Sequence, residues 1–167
     1  MRELDPYTTA ERKLIIGEWA GHHLGSWFAL AATTGMCAGE VSGLDIGDID
    51  TTRWVAKVIK TYSGGHGLPK SCHSRHEVEL PVLVRAAVLH AIGGRTSGIL
   101  FPRRDGGRVS QSRAQNRLRR LCKRLKIRYR KPHALRHAVL TALVNSGAPL
   151  GDVARHVGHS VAVLVKV

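Results

Sequence analysis

The chain has 167 residues, enough for one compact domain that buries roughly 70% of the surface its unfolded form exposes. Its 26 Lys+Arg against 12 Asp+Glu give a net charge of +14, which points to a polyanionic partner, nucleic acid foremost, rather than an acidic small molecule. There is no secretory h-region and no run near the roughly 20 apolar residues of a membrane span, and Cys37, Cys72 and Cys122 are too few and too scattered for a disulfide framework; the expectation is a cytoplasmic protein with free thiols and no membrane contact.

Thr8 and Glu11 have capping-box spacing ahead of Leu14, Ile15, Trp19 and Ala20, so an amphipathic helix opens the fold. A second helix, SWFALAATTG, ends at Gly35. The stretch TTGMCAGE, Thr33 to Glu40, reads as a tight glycine turn opening a further helix, with a cysteine where the pattern would accommodate a long polar side chain. LDIGDIDTTRWVAKVIK then loses the helical period and becomes β-branched, and SRHEVELP alternates after a Gly/Pro-rich link, giving a short hairpin or small sheet. Helices resume at VLVRAAVLHAI and at SQSRAQNRLRRLCKRLKI, where Leu118, Leu121, Cys122 and Leu125 make one apolar stripe and the other faces are Arg and Lys. Pro132 precedes HALRHAVLTALVNSG, which runs apolar through Ala134, Leu135, Ala138, Leu140 and Ala142 and stops at Gly147. PLGDVARHVGHS and the apolar run VAVLVKV follow. The expected class is mainly α with one small antiparallel β-sheet or hairpin.

The charge is uneven along the chain. Met1 to Asp50 hold eight acidic and three basic residues, whereas 13 of the 26 Lys+Arg fall between Arg103 and Lys131, with Asp105 the only acid among them. One face or edge therefore carries the field, and Arg113, Arg117, Arg119, Arg120, Lys123 and Arg124 are the candidate contacts to nucleic acid. His133 and Arg136, three apart at a helix start, project from one face. A guanidinium forks onto two oxygens, an imidazole adds one hydrogen bond, and with oriented backbone N–H groups they make a seat for a phosphate. His159, in GHS after a helix, is placed to join that pocket. Lys70, in LPKSCHSR before the second strand of the hairpin, could protonate a leaving oxygen as a general acid. Cys72, His73 and His76, with His66 nearby, do not match the paired ligand spacings of structural zinc sites, so neither a metal nor another cofactor is expected.

In this order, four segments resemble the catalytic domain of the tyrosine recombinase (phage integrase) family, nearly from end to end. TTGMCAGEVSGL is similar to the family's first motif, LPKSCHSRHEVELP to its β-hairpin lysine segment, HALRHAVLTALVNSGAPL to its His-x-x-Arg box, and VARHVGHS to its last histidine box. The resemblance implies a DNA breaking-rejoining fold and a metal-free transesterification on double-stranded DNA, with other recombinase protomers assembled on it. A tyrosine would attack the scissile phosphate and become joined to the 3′ end, so that the phosphodiester energy is kept for religation; two arginines and two histidines would hold the phosphate oxygens, and the lysine would protonate the leaving 5′ oxygen. By position, Arg136 is the second arginine, His133 and His159 are the histidines, Lys70 is the lysine and Glu40 is an acidic support.

Two positions depart from that pattern. Cys37 stands where the first arginine is expected, and a thiol has neither the permanent charge nor the bidentate donors; losing one such oxyanion donor typically costs about two to three powers of ten in rate. By spacing from GHS, the nucleophilic tyrosine falls directly after Val167, while Tyr7, Tyr62 and Tyr129 lie upstream and match no motif. The expectation is one catalytic domain over residues 1–167, without the amino-terminal core-binding domain and the tyrosine segment, that binds DNA but is defective in cleavage. The alternatives are a non-catalytic duplex-DNA-binding regulator that keeps the fold, and a basic RNA-associated protein with a coincidental His-x-x-Arg.

Overall fold

The computed structural model of the chain describes residues 5–22, 24–62, 64 and 75–158. The first helix, α1 (Thr9–Gly17), starts at the expected capping box: the Thr8 hydroxyl accepts from the Glu11 N–H at 3.2 Å and the Glu11 carboxylate accepts from the Thr8 N–H at 2.8 Å. The second, α2 (Gly25–Thr34), is apolar on every side and so lies inside the molecule, with Trp27, Phe28, Ala29, Leu30 and Ala32 sealed from solvent. It packs against α1 and against two later helices, α4 (Val82–Ile92) and α6 (His133–Asn145). Gly35 ends it with φ +73°, and a Cβ there would come within 3.1 Å of Val139 on α6. Both the left-handed turn and the close approach disfavour a side chain at this position, and the chain is redirected into the short helix α3 (Ala38–Gly43).

A 3₁₀ turn at Ile46–Asp48 leads into a three-stranded antiparallel sheet, β1 (Ile49–Asp50), β2 (Val55–Val58) and β3 (His76–Glu79), in that spatial order. Val55 lies opposite Glu79 and Val58 opposite His76. Ala56, Val58 and Val78 point inward while Lys57, Glu77 and Glu79 face solvent, the period of two that the sequence shows. Asp45, just ahead of the sheet, is a hub that receives hydrogen bonds from Lys60 and Arg108. Its burial works against ionisation, but these two cations hold its carboxyl below the usual range. Arg108 also donates to the carbonyls of Ser42, Gly43 and Leu44, at 3.0, 2.9 and 3.2 Å, and so satisfies the end of α3.

The long basic helix is α5 (Gln111–Leu125), capped by Ser110, whose Oγ accepts from the Arg113 N–H. It buries one stripe, Ala114, Leu118, Leu121 and Cys122, with Leu125 half-buried at its edge. On α6, Leu135, Ala138, Val139 and Leu140 are buried, and α7 (Leu150–Val157) packs on α6 and on β3. No helix among the described residues is long and apolar enough to cross a membrane.

The segment ahead of α1 is fastened to the link between α5 and α6. The Tyr7 hydroxyl donates to the Arg130 carbonyl at 2.6 Å and accepts from the Arg130 N–H at 2.8 Å, while the Arg130 guanidinium pairs with Asp5 and Glu11, each at 2.9 Å. Tyr7 is buried, so Tyr7→Phe leaves two backbone groups unpaired with little change of volume. The expected loss of stability is about 1–3 kcal/mol, read from the midpoint of urea unfolding at constant m-value.

Candidate phosphate-binding site

The site is organised by Arg136, one turn into α6, which is only 3% exposed. Its Nη1 donates to the Gly35 carbonyl and to Glu40 Oε2, both at 3.1 Å, and its Nη2 donates to the Val157 carbonyl at 2.6 Å. One guanidinium thus joins the glycine turn, α3 and the end of α7. Glu40 Oε2 also accepts from the Cys37 N–H at 2.7 Å, and Cys37 Sγ accepts from the Glu40 N–H at 3.4 Å. Cys37 is therefore the N-cap of α3, a thiol in the place where a hydroxyl or carboxylate is usual.

Burial, then the neighbouring Glu40 charge, pushes the Cys37 thiol up from its ordinary value of 9.0 to about 11. The thiol stays neutral at physiological pH and is a poor nucleophile. A raised folded-state value means that its contribution to stability is complete below pH 9 and is lost as pH rises from there through 11. At pH 7 the native thiol is expected to react with iodoacetamide about 100-fold more slowly than the same cysteine in urea, which peptide mass spectrometry measures residue by residue.

Two further contacts hold the end of α7 against this network. His156 Nε2 shares a hydrogen bond with the Thr34 carbonyl at 2.7 Å, next to the glycine turn. Gly158 has φ +65°, and a Cβ on it would lie 2.7 Å from His76 Nδ1, so the first residue of β3 packs directly on that turn. Lys70 and His159 lie outside the described residues, as do His66, Cys72, His73 and the run at 161–167.

Among the described residues, Arg136 is not on the wall of the cleft that His133 lines. Arg136 points inward, whereas His133 is exposed and lines a cleft of about 280 Å³ together with Cys37, Thr61, Gln111, Gln115 and Lys131. No carboxylate lines that cleft among the described residues. Cys37 connects the two places, since it walls the cleft on one side and is bonded through Glu40 to Arg136 on the other. The His133 ring meets His137 edge-on, with centroids 4.5 Å apart. Burial, then the charge of Arg136, holds His137 below its ordinary value. Sequence reasoning missed Lys131, Thr61, Gln111 and Gln115; the signals were the adjacency Lys131-Pro132-His133 and the i, i+4 glutamine pair at the start of α5.

The six basic candidates on α5 divide into groups. Arg113, Arg117 and Arg120, at i, i+4 and i+7, line a groove of about 370 Å³ with Arg103, Ser112 and Asn116. Arg103 is already engaged by both carboxylate oxygens of Asp105, at 2.7 and 2.6 Å. Arg119 lies over the Tyr129 ring at 4.7 Å, Arg124 pairs with Glu18, and Lys123 is exposed. One edge of α5 therefore feeds amides into the cleft and another presents a row of guanidinium groups, an arrangement that can hold several phosphates along one polyanion.

The sequence profile of the Phage integrase family matches residues 12–166. Tyrosine recombinase XerC of Bifidobacterium longum (strain DJO10A) is 31% identical over 137 residues, covering 78% of this chain and 38% of that protein. The fold is similar to that of the Tn1549 transposon integrase, solved with circular intermediate DNA, at TM-score 0.85 and 19% identity, over 99% of this chain and 63% of that one. It is similar also to XerA recombinase, at TM-score 0.83 and 21% identity, over 99% of this chain and 58% of that one. The chain thus spans well under half of its curated relative, and its mainly helical architecture with one small antiparallel sheet is that of a tyrosine-recombinase catalytic domain. The chain belongs to the phage integrase family.

Proposed function

We propose that the chain is the catalytic-domain part of a site-specific tyrosine recombinase, binding double-stranded DNA for metal-free integration or recombination, with its phosphate clamp weakened at Cys37. The observation that carries this reading is the network Gly35–Glu40–Arg136–Val157, set beside a cleft that holds His133 and is walled by α5, the helix that also carries the guanidinium row. Of the five donors of a guanidinium, Arg136 commits three to those acceptors. In this reading Arg136 fixes the glycine turn and the start of α3 from the core, His133 and His159 hold the scissile phosphate, and Lys70 protonates the leaving oxygen. The DNA-bound form of a structural neighbour and the recombinase name of the curated relative support it.

Cys37 favours a second reading, that of a regulator that occupies DNA without cutting it. The thiol keeps its proton and offers neither a charge nor a fork to an oxyanion. A nicked duplex incubated with the protein and run on a denaturing gel tests the cleavage defect that both readings share: no covalent phosphotyrosyl adduct is expected, and finding one would falsify it. DNA engagement itself is tested by comparing duplex DNA with structured RNA at equal salt. Preference for duplex DNA is expected, and preference for RNA overturns the proposed function.

A further inference from the structure

We infer that Lys131 supplies the cation that position 37 lacks, holding a phosphate oxygen in the His133 cleft. The inference rests on the reading of that cleft as a phosphate site. Lys131, His133 and Cys37 line the same 280 Å³ space, and among the described residues its wall carries no carboxylate to compete for the ammonium. Lys131 is exposed, and its four-carbon stem leaves the charge free to follow a ligand.

Its backbone, by contrast, is placed from both sides. The Lys131 carbonyl accepts from the Ala134 N–H at 2.9 Å, closing the first turn of α6. Arg130, immediately before it, is held by Tyr7 through both backbone groups and by Asp5 and Glu11 through the side chain. The stem therefore starts from a fixed point beside the cleft, and Gln111 and Gln115 add amide donors to the same wall.

The substitution of an ammonium for a guanidinium changes what the site can do. An ammonium neutralises an oxygen as a point charge, whereas a guanidinium fixes two oxygens in a plane. Lys131 thus restores attraction without restoring orientation, so that binding survives the presence of Cys37 better than the geometry of cleavage does.

The test compares wild type, Lys131→Ala, Lys131→Arg and a charge-matched surface control, Lys13→Ala on α1. Inorganic phosphate is titrated against the His133 ring-proton signals by NMR. Wild type, Lys131→Arg and Lys13→Ala are expected to show the same saturable shift, and Lys131→Ala at least a tenfold weaker one. In duplex binding, Lys131→Ala should lower the salt slope by about 0.9 and Lys13→Ala should leave it unchanged. If Lys131→Ala matches Lys13→Ala in both measurements, the inference is overturned while the proposed DNA binding stands. If wild type fails to bind duplex at all, that wider reading falls, and the phosphate titration still decides the role of Lys131.

Discussion

Replacing Arg136 by alanine is expected to lower the free energy of unfolding by about 3–5 kcal/mol, the range for breaking a buried ion pair from one side. The loss comes from the groups left behind. Glu40, only 7% exposed, keeps its place between the Cys37 N–H and the emptied guanidinium site, and the Gly35 and Val157 carbonyls lose their donors. Because Glu40 is the group stranded, adding Glu40→Gln should recover part of the loss. A double-mutant cycle between the two positions should return a coupling of about 1–3 kcal/mol. Arg136→Lys keeps the charge but not the fork, and should fall between wild type and alanine. Urea unfolding at matched m-values measures wild type, the two single variants of the cycle, the double variant and Arg136→Lys. Additive effects of the two changes would mean that the pair does not act as a unit.

The same residue shows where the sequence is informative and where it is not. Helix limits are legible because their signals are local: Thr8 and Glu11 cap α1, Gly35 ends α2, Pro132 precedes α6 and Gly147 follows it. The apolar stripe of α5 is equally plain, since Leu118, Leu121 and Cys122 recur at helical spacing. The placing of His133 and Arg136 on one face is right in angle and incomplete in consequence. Three residues at about 100° each leave two side chains about 60° apart, enough for one to open onto a cleft while the other enters the core.

Partners distant along the chain carry no local signal at all. Arg136 reaches Gly35 and Glu40 across 101 and 96 residues, and Tyr7 reaches Arg130 across 123. Nor does the sequence show why a cysteine at position 37 is compatible with the fold. The family pattern marks the missing guanidinium, but only the structure shows the thiol capping α3 against Glu40. The charge density of the stretch from Arg103 to Lys131 is visible in composition, yet its division into a groove-lining row, a ring-stacked arginine and an ion-paired one depends on the rotation of α5 in the fold.

That division leads to the second large effect. Arg113, Arg117 and Arg120 share one edge of α5, and Arg103 beside them is already engaged by Asp105. The triple change to alanine removes three cations from a solvent-facing edge while leaving Ala114, Leu118, Leu121 and Cys122 in the core. Exposed substitutions of this kind change stability by only about 0.5 kcal/mol each. Affinity for duplex DNA should respond far more. If each arginine neutralises one phosphate, the log–log salt slope falls by about 2.7. At 0.15 M salt the counterion release forgone is about 1 kcal/mol per contact, so binding weakens on the order of 100-fold. The loss should be uniform across DNA sequences, because phosphate contacts position a protein without reading bases. Arg124→Ala makes the comparison, since Arg124 is paired with Glu18 and should shift the slope by well under one. Anisotropy titrations at a series of salt concentrations decide it. A triple variant with an unchanged slope would move the duplex to another face of the molecule, whereas a slope reduced by nearly three with normal unfolding places three phosphates along this edge of α5.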